Sequence, residues 1–438
     1  MSGVRESGTS LRIALWGTVC LIAASGCSTL GSSPESMGQI RETREITIPA
    51  QDGDPLFSSL TVVSSQEDSR QEGDFEAPEQ LRPCCAFGHD LKVRIGFVPV
   101  LGYRVDNVVD PERLGRHRYD AGLVSVENGL SHGFVSRESN GLAYTCRGGF
   151  IDIAHVRDYA DWTAYLTHQI EGMLDAGGAV ELPKEGGRRF FYVMPIDSRL
   201  LAKAGRRNIA VSLAQWLAIQ ISIWHETATW YGWSSSSVFP EVASAFSPED
   251  LYSNLLGIQI AGALLRAHAA ESETEFNWNM NALLGPVLDR LGAVPNGVTR
   301  EAARSVDGIW WDSSARLPSN RVVMHRSLEI GPELTPWLVP PQYFSSDMRE
   351  AVVEHCGEEE MRAAVLRVPS TIHGIDPQRI ARLDIEVGNE LLERFPLPQS
   401  ESRWISQDDF PRIITSIRSE ILEEFGAGAD QRLAENPF

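Results

Sequence analysis

The sequence predicts an α+β protein with a mainly helical core, a minority of β-strands and a single large domain. Long apolar segments with helical signals dominate the chain. The β-rich segments between them do not alternate regularly with helices, as the strands of a doubly wound sheet would. A length of 438 residues with 42% hydrophobic residues is enough to bury one large core.

The helices are predicted from apolar or amphipathic runs with recognisable ends. Segment 208–231 is apolar almost all round, which predicts a buried helix. In segment 247–268, Ser247 stands at the cap, Pro248 at the first position and Asp250 three residues after the cap, a pattern similar to a capping box. Further helices are predicted over 151–174, 376–394 and 412–425.

Strands are predicted where β-favouring residues alternate and are punctuated by glycine and proline. The stretches "LKVRIGFVPVLGYRVDNVV" (91–109) and "GRRFFYVMPI" (187–196) have this character. "REITIPA" and "SLTVV", nearer the N-terminus, are candidates for short strands. Because these segments are few and scattered, helices are expected to build most of the core.

The N-terminus carries a targeting signal. Arginines precede the apolar run "IALWGTVCLIAAS", which is too short to be a stable membrane span. It leads into "ASGC", which ends at Cys27 and resembles a bacterial lipobox. We therefore predict a lipoprotein signal peptide over 1–26 and lipidation of Cys27, which would attach the chain to a membrane. An ordinary secretory signal with an incidental cysteine is the alternative.

The predicted location is the bacterial cell envelope, at the outer membrane and facing the periplasm. Ser28 follows Cys27 and, by resemblance to enteric lipoproteins, does not signal inner-membrane retention. Residues 27–80 are predicted to be the lipidated cysteine and a flexible polar tether, because "SSQEDSRQEGDFEAPEQ" cannot bury enough surface to fold, and the globular domain is predicted over 81–438. The net charge of -20 argues against a nucleic-acid partner and against flat docking on anionic lipid headgroups.

This location decides how the cysteines are interpreted. Cys84, Cys85, Cys146 and Cys356 would all lie in an oxidising compartment. Adjacent cysteines rarely pair, so we predict at least one disulfide that links Cys84 or Cys85 to Cys146 or Cys356. The alternative for Cys146 is a nucleophile, because a cysteine before a Gly-Gly turn and a helix start resembles the thiol of papain-like envelope amidases. A histidine, His155 or His225, would then be its base.

The segment "IWHETATW" begins like a zinc-protease helix but has Thr229 where the HExxH signature requires a second histidine. His225 and Glu226 remain, on a helix so apolar that a carboxylate there must be paired, protonated or bound to a metal. The alternative is a structural hydrogen-bond network, because Glu226 shares one stripe of the helix with Gln215, Ser222 and Thr229.

Other helices offer partners for this pair. His155 and Asp158 are three residues apart and share a helix face, which suits a metal site or an oriented histidine, although a plain surface hydrogen bond would explain them too. Asp250 and Asn254 also share a face. The set His155, Asp158, His225 and Asp250 would suit a divalent metal such as Zn, and whether any cofactor is bound stays open.

The chain between about residues 82 and 376 resembles an uncharacterised family of bacterial lipoproteins known as a domain of unknown function. The resemblance is carried by "RPCCAFGHDLKVRIG", "CRGGFIDIAHVRDYADWTAYL", "WHETATWYGW" and "SPEDLYSNLLGIQIAG". It implies a lipoprotein and no particular reaction.

Two functions are consistent with these sequence features. The first is a membrane-tethered hydrolase that acts on a cell-wall or lipid-derived substrate through His155, Asp158, His225 and Glu226, with Glu226 as the general base. The second is a non-catalytic envelope lipoprotein that binds or scaffolds another component, in which the same residues form a structural polar core. The two are distinguished by exposure, because catalytic side chains must line a cleft.

Overall fold

The predicted α+β class is confirmed. The computed structural model describes residues 42–48, 56–57, 60–66, 75–79, 81–82, 86–95, 98–122, 138–234, 241–357, 362–396 and 403–426. In this part of the chain helix outweighs strand, at 46% and 19%. No helix there is both long enough and apolar enough to span a bilayer.

The described helices range from one turn to seven. They are α1 (Ile153–Met173), α2 (Ser198–Ala204), α3 (Arg206–Trp230), α4 (Asp250–Arg266), α5 (Glu273–Arg290), α6 (Asn296–Ser305), α7 (Ser346–Cys356), α8 (Asn389–Leu392) and α9 (Phe410–Phe425). The helices predicted over 151–174, 208–231, 247–268 and 412–425 therefore correspond to α1, α3, α4 and α9, with small differences at their ends.

The described strands form several small sheets. They are β1 (Glu42–Thr47), β2 (Thr61–Gln66), β3 (Leu91–Ile95), β4 (Val98–Val105), β5 (Leu142–Thr145), β6 (Gly149–Asp152), β7 (Gly178–Leu182), β8 (Gly187–Val193), β9 (Arg316–Leu317), β10 (Glu333–Leu334), β11 (Leu366–Arg367), β12 (Ala381–Val387) and β13 (Trp404–Ser406). The largest sheet is antiparallel with the order β13-β12-β8-β7. A second sheet has the order β4-β3-β9.

The centre of the molecule is a packed group of α1, α3 and α4. Their side chains are buried almost all round, as the apolar sequences predict. Gly257 of α4 allows the closest approach, because a Cβ atom at this position would lie 2.0 Å from the carbonyl oxygen of Val156 in α1. Close contact of these backbones brings the start of α4 beside the start of α1, where Ser253 Oγ accepts a hydrogen bond from the Asp152 N–H at 2.9 Å.

The helix predicted over 376–394 is wrong, because the middle of this segment forms β12 and the only α-helix in it is the single turn α8. Ala381, Leu383, Ile385 and Val387 alternate with more exposed residues, which is the period of a half-buried strand. Apolar residues in this segment also recur at helical spacing, so both periods fit the sequence. Pairing with β8 over the full length of β12 decides in favour of the strand.

Part of the segment predicted as a flexible tether is folded. Strands β1 and β2 pair in antiparallel register, and the side chains of Ile48, Phe57 and Phe75 are buried in the main core. Because most residues of this segment are polar, its composition alone does not reveal that these apolar side chains are buried. The predicted signal peptide and Cys27 lie outside the described residues.

The predicted disulfide pairing is also corrected. Cys146, which follows β5, is bonded to Cys356, the last residue of α7. Both thiols are therefore used, which removes Cys146 as a nucleophile and excludes a bond from either to Cys84 or Cys85. These last two cysteines lie outside the described residues.

Candidate functional site

The site is centred on an ion pair between His225 of α3 and Glu185, in the turn between β7 and β8. Nδ1 of His225 lies 2.5 Å from Oε1 of Glu185. Arg189 of β8 and Trp224 of α3 hold Glu185 in place from two sides. Arg189 forms a salt bridge with its carboxylate, and the indole N–H of Trp224 donates to its backbone carbonyl oxygen at 2.8 Å. Glu185 therefore fixes both the tautomer and the orientation of the His225 ring.

The charges of this pair reinforce each other. Burial alone would lower the pKa of His225, but the adjacent Glu185 carboxylate overrides it and raises this pKa to about 9. Burial would likewise raise the pKa of Glu185, but Arg189 and His225 keep it below its usual value. At neutral pH the pair is therefore an imidazolium and a carboxylate, and the imidazolium can donate a proton.

His225 lines a small pocket at the junction of α1, α3 and the loop that carries Glu241. The pocket is lined by Leu81, Arg82, His155, Asp158, Tyr159, His225 and Glu241. Three of the four predicted catalytic residues thus come together here. Because Glu185 occupies Nδ1 of His225, Nε2 is the ring nitrogen left for the pocket. The His155 ring is oriented edge-on to the His225 ring, with the two ring centroids 6.3 Å apart.

Asp158 is tied to a second buried ion network rather than to the histidines. Arg82 donates to Asp158 through Nη1 at 2.7 Å and through its backbone N–H at 3.1 Å. The same guanidinium contacts Glu138 at 2.6 Å and Asp161 at 2.9 Å, so one cation is shared by three acidic side chains. Burial raises the pKa of Asp158 to about 8 against the opposing effect of Arg82. This network holds segment 81–82 on α1, and Asp158 borders the pocket as part of it.

Glu226 does not line the pocket. Its side chain points to the interior, where Oε2 accepts a hydrogen bond from the Phe246 N–H at 2.7 Å and only 1% of the residue is exposed. The general-base role predicted for Glu226 requires access to a substrate, which this position does not provide.

Glu226 belongs instead to a sealed group of acidic side chains, here called the carboxylate cluster: Asp152, Glu226, Glu249 and Asp250. Burial, and then the other acids of the cluster, raise the pKa of Asp250 well above its usual value. Glu249 is affected in the same way. Glu249 and Asp250 therefore retain their protons at neutral pH.

The carboxylate cluster touches the pocket through His155. Nδ1 of His155 lies 3.8 Å from Oδ1 of Asp250. The other oxygen of Asp250 accepts from the Ser247 N–H at 2.7 Å, which is the acidic half of the predicted capping box. The Ser247 hydroxyl does not complete that box, and the helix starts at Asp250 itself.

The polar stripe of α3 does not form the predicted network. Gln215 donates to the Ile258 carbonyl oxygen, and Ser222 donates to the Ile219 carbonyl oxygen of its own helix. Glu226 bonds to Phe246 instead of to either of them. The four groups are therefore not bonded to one another, and Thr229 Oγ1 and one oxygen of Glu226 have no hydrogen-bond partner among the described residues.

The structure does not support the predicted metal set. Within the described ranges, no group of three or more His, Cys, Asp or Glu side chains has a geometry that could hold a metal ion. Asp158 is bound by Arg82, and Nδ1 of His225 is bound by Glu185. Nε2 of His225 stays open, but Arg82 occupies Asp158, and the four residues His155, Asp158, His225 and Asp250 do not form the predicted zinc site.

Two acidic residues of the site were not predicted from the sequence: Glu241, which lines the pocket, and Glu185, which is bonded to His225. Glu185 lies 40 residues before His225 in a turn of the sequence "PKEGG", and Glu241 lies on a single turn of 3-10 helix at 241–243. Neither position carries a spacing signal that links it to His225. The pairing of β7 with β8 brings Glu185 to α3. A contact between residues so far apart in the chain produces no local sequence pattern that could predict it.

Comparison with known proteins places the chain in a family without assigning it a reaction. No curated protein matches the chain. No solved structure matches it either. Residues 72–340 match the family described as a protein of unknown function, DUF4056. This match covers more than half of the 438 residues and includes the whole pocket, so the chain belongs to the DUF4056 family.

Proposed function

We propose that this protein is a lipid-anchored bacterial envelope protein and that the pocket around His225 is a hydrolytic site for a cell-wall or lipid-derived substrate. The observation that carries the catalytic part is the His225–Glu185 pair at the pocket wall. A buried histidine held as an imidazolium, with one ring nitrogen left for the pocket, is suited to general acid catalysis.

The proposed reaction uses two pocket residues. Glu241 would take a proton from a water molecule as the water oxygen attacks the substrate. Nε2 of His225 would give a proton to the leaving group as the scissile bond breaks, so that one proton is taken up and one is released. Glu185 orients His225, and His155 borders the same space. This assigns to Glu241 the general-base role that the sequence suggested for Glu226.

The catalytic proposal is tested with purified protein and two natural envelope materials. Isolated peptidoglycan sacculi and phospholipid vesicles would each be incubated with the protein, and released products would be identified by mass spectrometry. Product should form with the wild type and be lost in His225→Gln. The matched control is His355→Gln, an exposed histidine on α7. Equal product from His225→Gln and wild type would contradict the proposal.

The anchoring part rests on "ASGC" after a short apolar run. Labelled palmitate should enter the wild-type protein in cells and be absent from Cys27→Ala. Equal labelling of both proteins would contradict the lipid anchor. It would leave the pocket proposal untouched, because the two parts rest on different residues.

A second candidate is a non-catalytic binding or scaffolding lipoprotein whose polar residues are structural. The observation that favours it is the burial of Glu226, Glu249 and Asp250, at 1%, 2% and 0% exposed. In that case His225→Gln would change the unfolding midpoint, and no product would form from either material with any variant.

A further inference from the structure

Tyr159 of α1 lines the pocket together with His225. It lies four residues after His155, so the two side chains share the face of α1 that borders the pocket. The Tyr159 ring belongs to the main core, and only 3% of the residue is exposed. Close packing of the core therefore fixes the position of this ring at the pocket wall.

The hydroxyl of Tyr159 is the polar end of this fixed ring. It makes no hydrogen bond with any of the described residues. It is also not one of the sealed polar atoms, such as Oε1 of Glu226, that lack both a partner and contact with solvent. The small exposed part of Tyr159 therefore includes the hydroxyl, at the wall of the pocket. Since a buried tyrosine hydroxyl usually has a hydrogen-bond partner, this one is available to a bound molecule.

The hydroxyl keeps its proton in this position. Burial raises the pKa of Tyr159 well above its usual value, and the nearby charges of Glu185 and Glu226 raise it further. A neutral phenol can donate a hydrogen bond. The Glu185 carboxylate that acts on Tyr159 is also bonded to Nδ1 of His225. The pocket therefore has two donors on its wall, the Tyr159 hydroxyl and Nε2 of His225.

We propose that Tyr159 is a further catalytic residue and that the substrate group bound in the pocket is a neutral carboxylic amide or ester. The Tyr159 hydroxyl would donate a hydrogen bond to the carbonyl oxygen, which becomes negatively charged when water attacks the carbonyl carbon. This assignment rests on the proposed hydrolysis and adds the class of bond that is cleaved.

The charges of the pocket wall favour a neutral group over a phosphate. Arg82 is the only Lys or Arg among the lining residues, and it is already bonded to three acidic side chains. His225 is bonded to Glu185. Glu241 places an acid on the same wall. A phosphate group is bound by cations that are not already paired, and the lining residues offer it no such Lys or Arg.

The same wall is unsuited to the cleavage of a glycosidic bond. That reaction usually requires two carboxyl groups, one on either side of the scissile bond. The acids that line the pocket are Asp158 and Glu241, and Asp158 is held by two hydrogen bonds from Arg82. A carbonyl substrate instead uses the groups that the pocket offers, which are a base, an acid and a neutral donor.

The atoms of the reaction balance with these three groups. Glu241 would take a proton from water as the water oxygen bonds to the carbonyl carbon, and the π electrons would move to the oxygen held by Tyr159, which keeps its own proton. The C=O bond would form again as the bond to the leaving nitrogen or oxygen breaks, and Nε2 of His225 would protonate that atom. The proton on Glu241 would then return to His225 through solvent. The products are a carboxylic acid and an amine or alcohol.

The first test is hydrolysis in H₂¹⁸O, because the position of the label identifies the bond that is cleaved. Isolated sacculi would give a labelled carboxyl group from a peptide amide, and phospholipid vesicles would give a labelled fatty acid from an acyl ester. Label in a sugar or in phosphate would overturn the inference and leave the proposed hydrolysis intact. Absence of product from both materials with the wild type would remove the proposed hydrolysis and this inference with it.

The second test is Tyr159→Phe, which removes the hydroxyl and keeps the ring. The kcat should fall by about 10²–10³-fold while KM changes by less than about three-fold, because the hydrogen bond becomes strong only when the oxygen is charged. Tyr165→Phe is the matched control, since Tyr165 is a buried tyrosine of α1 that does not line the pocket, and it should keep the wild-type rate. The His225 ring should titrate in Tyr159→Phe as it does in the wild type. An unchanged kcat would overturn the inference, and a shifted His225 titration would show that the hydroxyl acts through His225 instead of on the substrate.

Discussion

His225 and Glu226 are neighbours on α3, yet they face two regions with opposite properties. His225 lines the pocket and is paired with Glu185, which is itself paired with Arg189. Glu226 faces the carboxylate cluster, where one of its oxygens and both carboxylate oxygens of Glu249 have no hydrogen-bond partner among the described residues. The first region has compensated charges and an opening. The second is a buried group of acids that repel one another, opposed by the charge of Arg326 and bordered by His155.

The difference shows that the partner, and not burial, decides the charge of a buried acid. Glu185 and Asp250 are both buried, and burial pushes the pKa of each upward. For Glu185 the charges of Arg189 and His225 outweigh the effect of burial, so its pKa is lowered. For Asp250 the nearby charges of Glu226 and Glu249 add to the burial effect, and its pKa is raised. Only the first region is therefore prepared for proton transfer at neutral pH.

The largest expected effect is on catalysis. His225→Gln should lower the rate of product release from the envelope substrate by about 10²–10⁴-fold, the usual contribution of a general acid. Glu226→Gln keeps an acceptor for the Phe246 N–H and should stay within about ten-fold of wild type, because Glu226 lies outside the pocket. Initial rates of both variants would measure this difference. If Glu226→Gln lowered the rate of product release as much as His225→Gln does, the two regions would not differ in function.

The next effect is the dependence of stability on pH. His225 has a folded-state pKa of about 9 against 6.5 for the ordinary side chain, so the folded state holds a proton that the unfolded state releases. This stabilisation, about 3 kcal/mol, is complete below pH 6.5 and is lost as pH rises through 9. Urea unfolding at several pH values would measure it. His225→Gln should remove this part of the slope, and an unchanged slope would show that the residue is neutral in the folded protein.

A disturbance of the packing between α1 and α4, the helices that carry both regions, should lower the free energy of unfolding by about 1–3 kcal/mol. Gly257→Ala places a methyl group against the backbone carbonyl of Val156, so α1 and α4 must separate. Gly285→Ala on α5 is the matched control, because nothing lies within 4 Å of its added Cβ and the change should stabilise by up to about 1 kcal/mol. Urea midpoints of the two variants should therefore move in opposite directions. Equal shifts would show that α1 and α4 are not in close contact.

The smallest effect concerns the sealed cluster. Asp250→Asn replaces a carboxyl that retains its proton with an amide of the same shape, and the amide oxygen can still accept from the Ser247 N–H. Below about pH 4, where Asp250 is protonated in both the folded and the unfolded wild type, the free energy of unfolding should change by less than about 1 kcal/mol. It should fall less steeply as pH rises, because the unfolded Asp250 ionises long before the folded one. A loss of several kcal/mol would instead show that Asp250 is needed in its ionised form.

The sequence predicts those parts of the fold that depend on local patterns. Helices α1 and α3 are long apolar runs, and strand β8 is bounded by glycine, so each is recognisable alone. Segment 376–394 is ambiguous, because its apolar residues fit both a helix and a strand until β8 pairs with it. The disulfide partners could not be chosen by spacing, because Cys146 and Cys356 are 210 residues apart.

The site is predicted to a similar extent. His155, Asp158 and His225 meet in one pocket because α1 and α3 pack together with those faces in contact. The roles of the residues depend on groups that no local pattern reveals. The Glu185 carboxylate stabilises the imidazolium form of His225. The salt bridge with Arg82 prevents Asp158 from serving as a metal ligand.

Titration of His225 by nuclear magnetic resonance tests the charge of the His225–Glu185 pair most directly. Protein with ¹³C-labelled histidine would be titrated, and the His225 signal would be identified by its absence in His225→Gln. This ring should titrate near pH 9, and Glu185→Gln should lower its pKa toward or below the ordinary 6.5. A wild-type ring that titrates at or below 6.5, or one that Glu185→Gln leaves unchanged, would contradict the claim that the His225–Glu185 pair supplies the proton of the pocket.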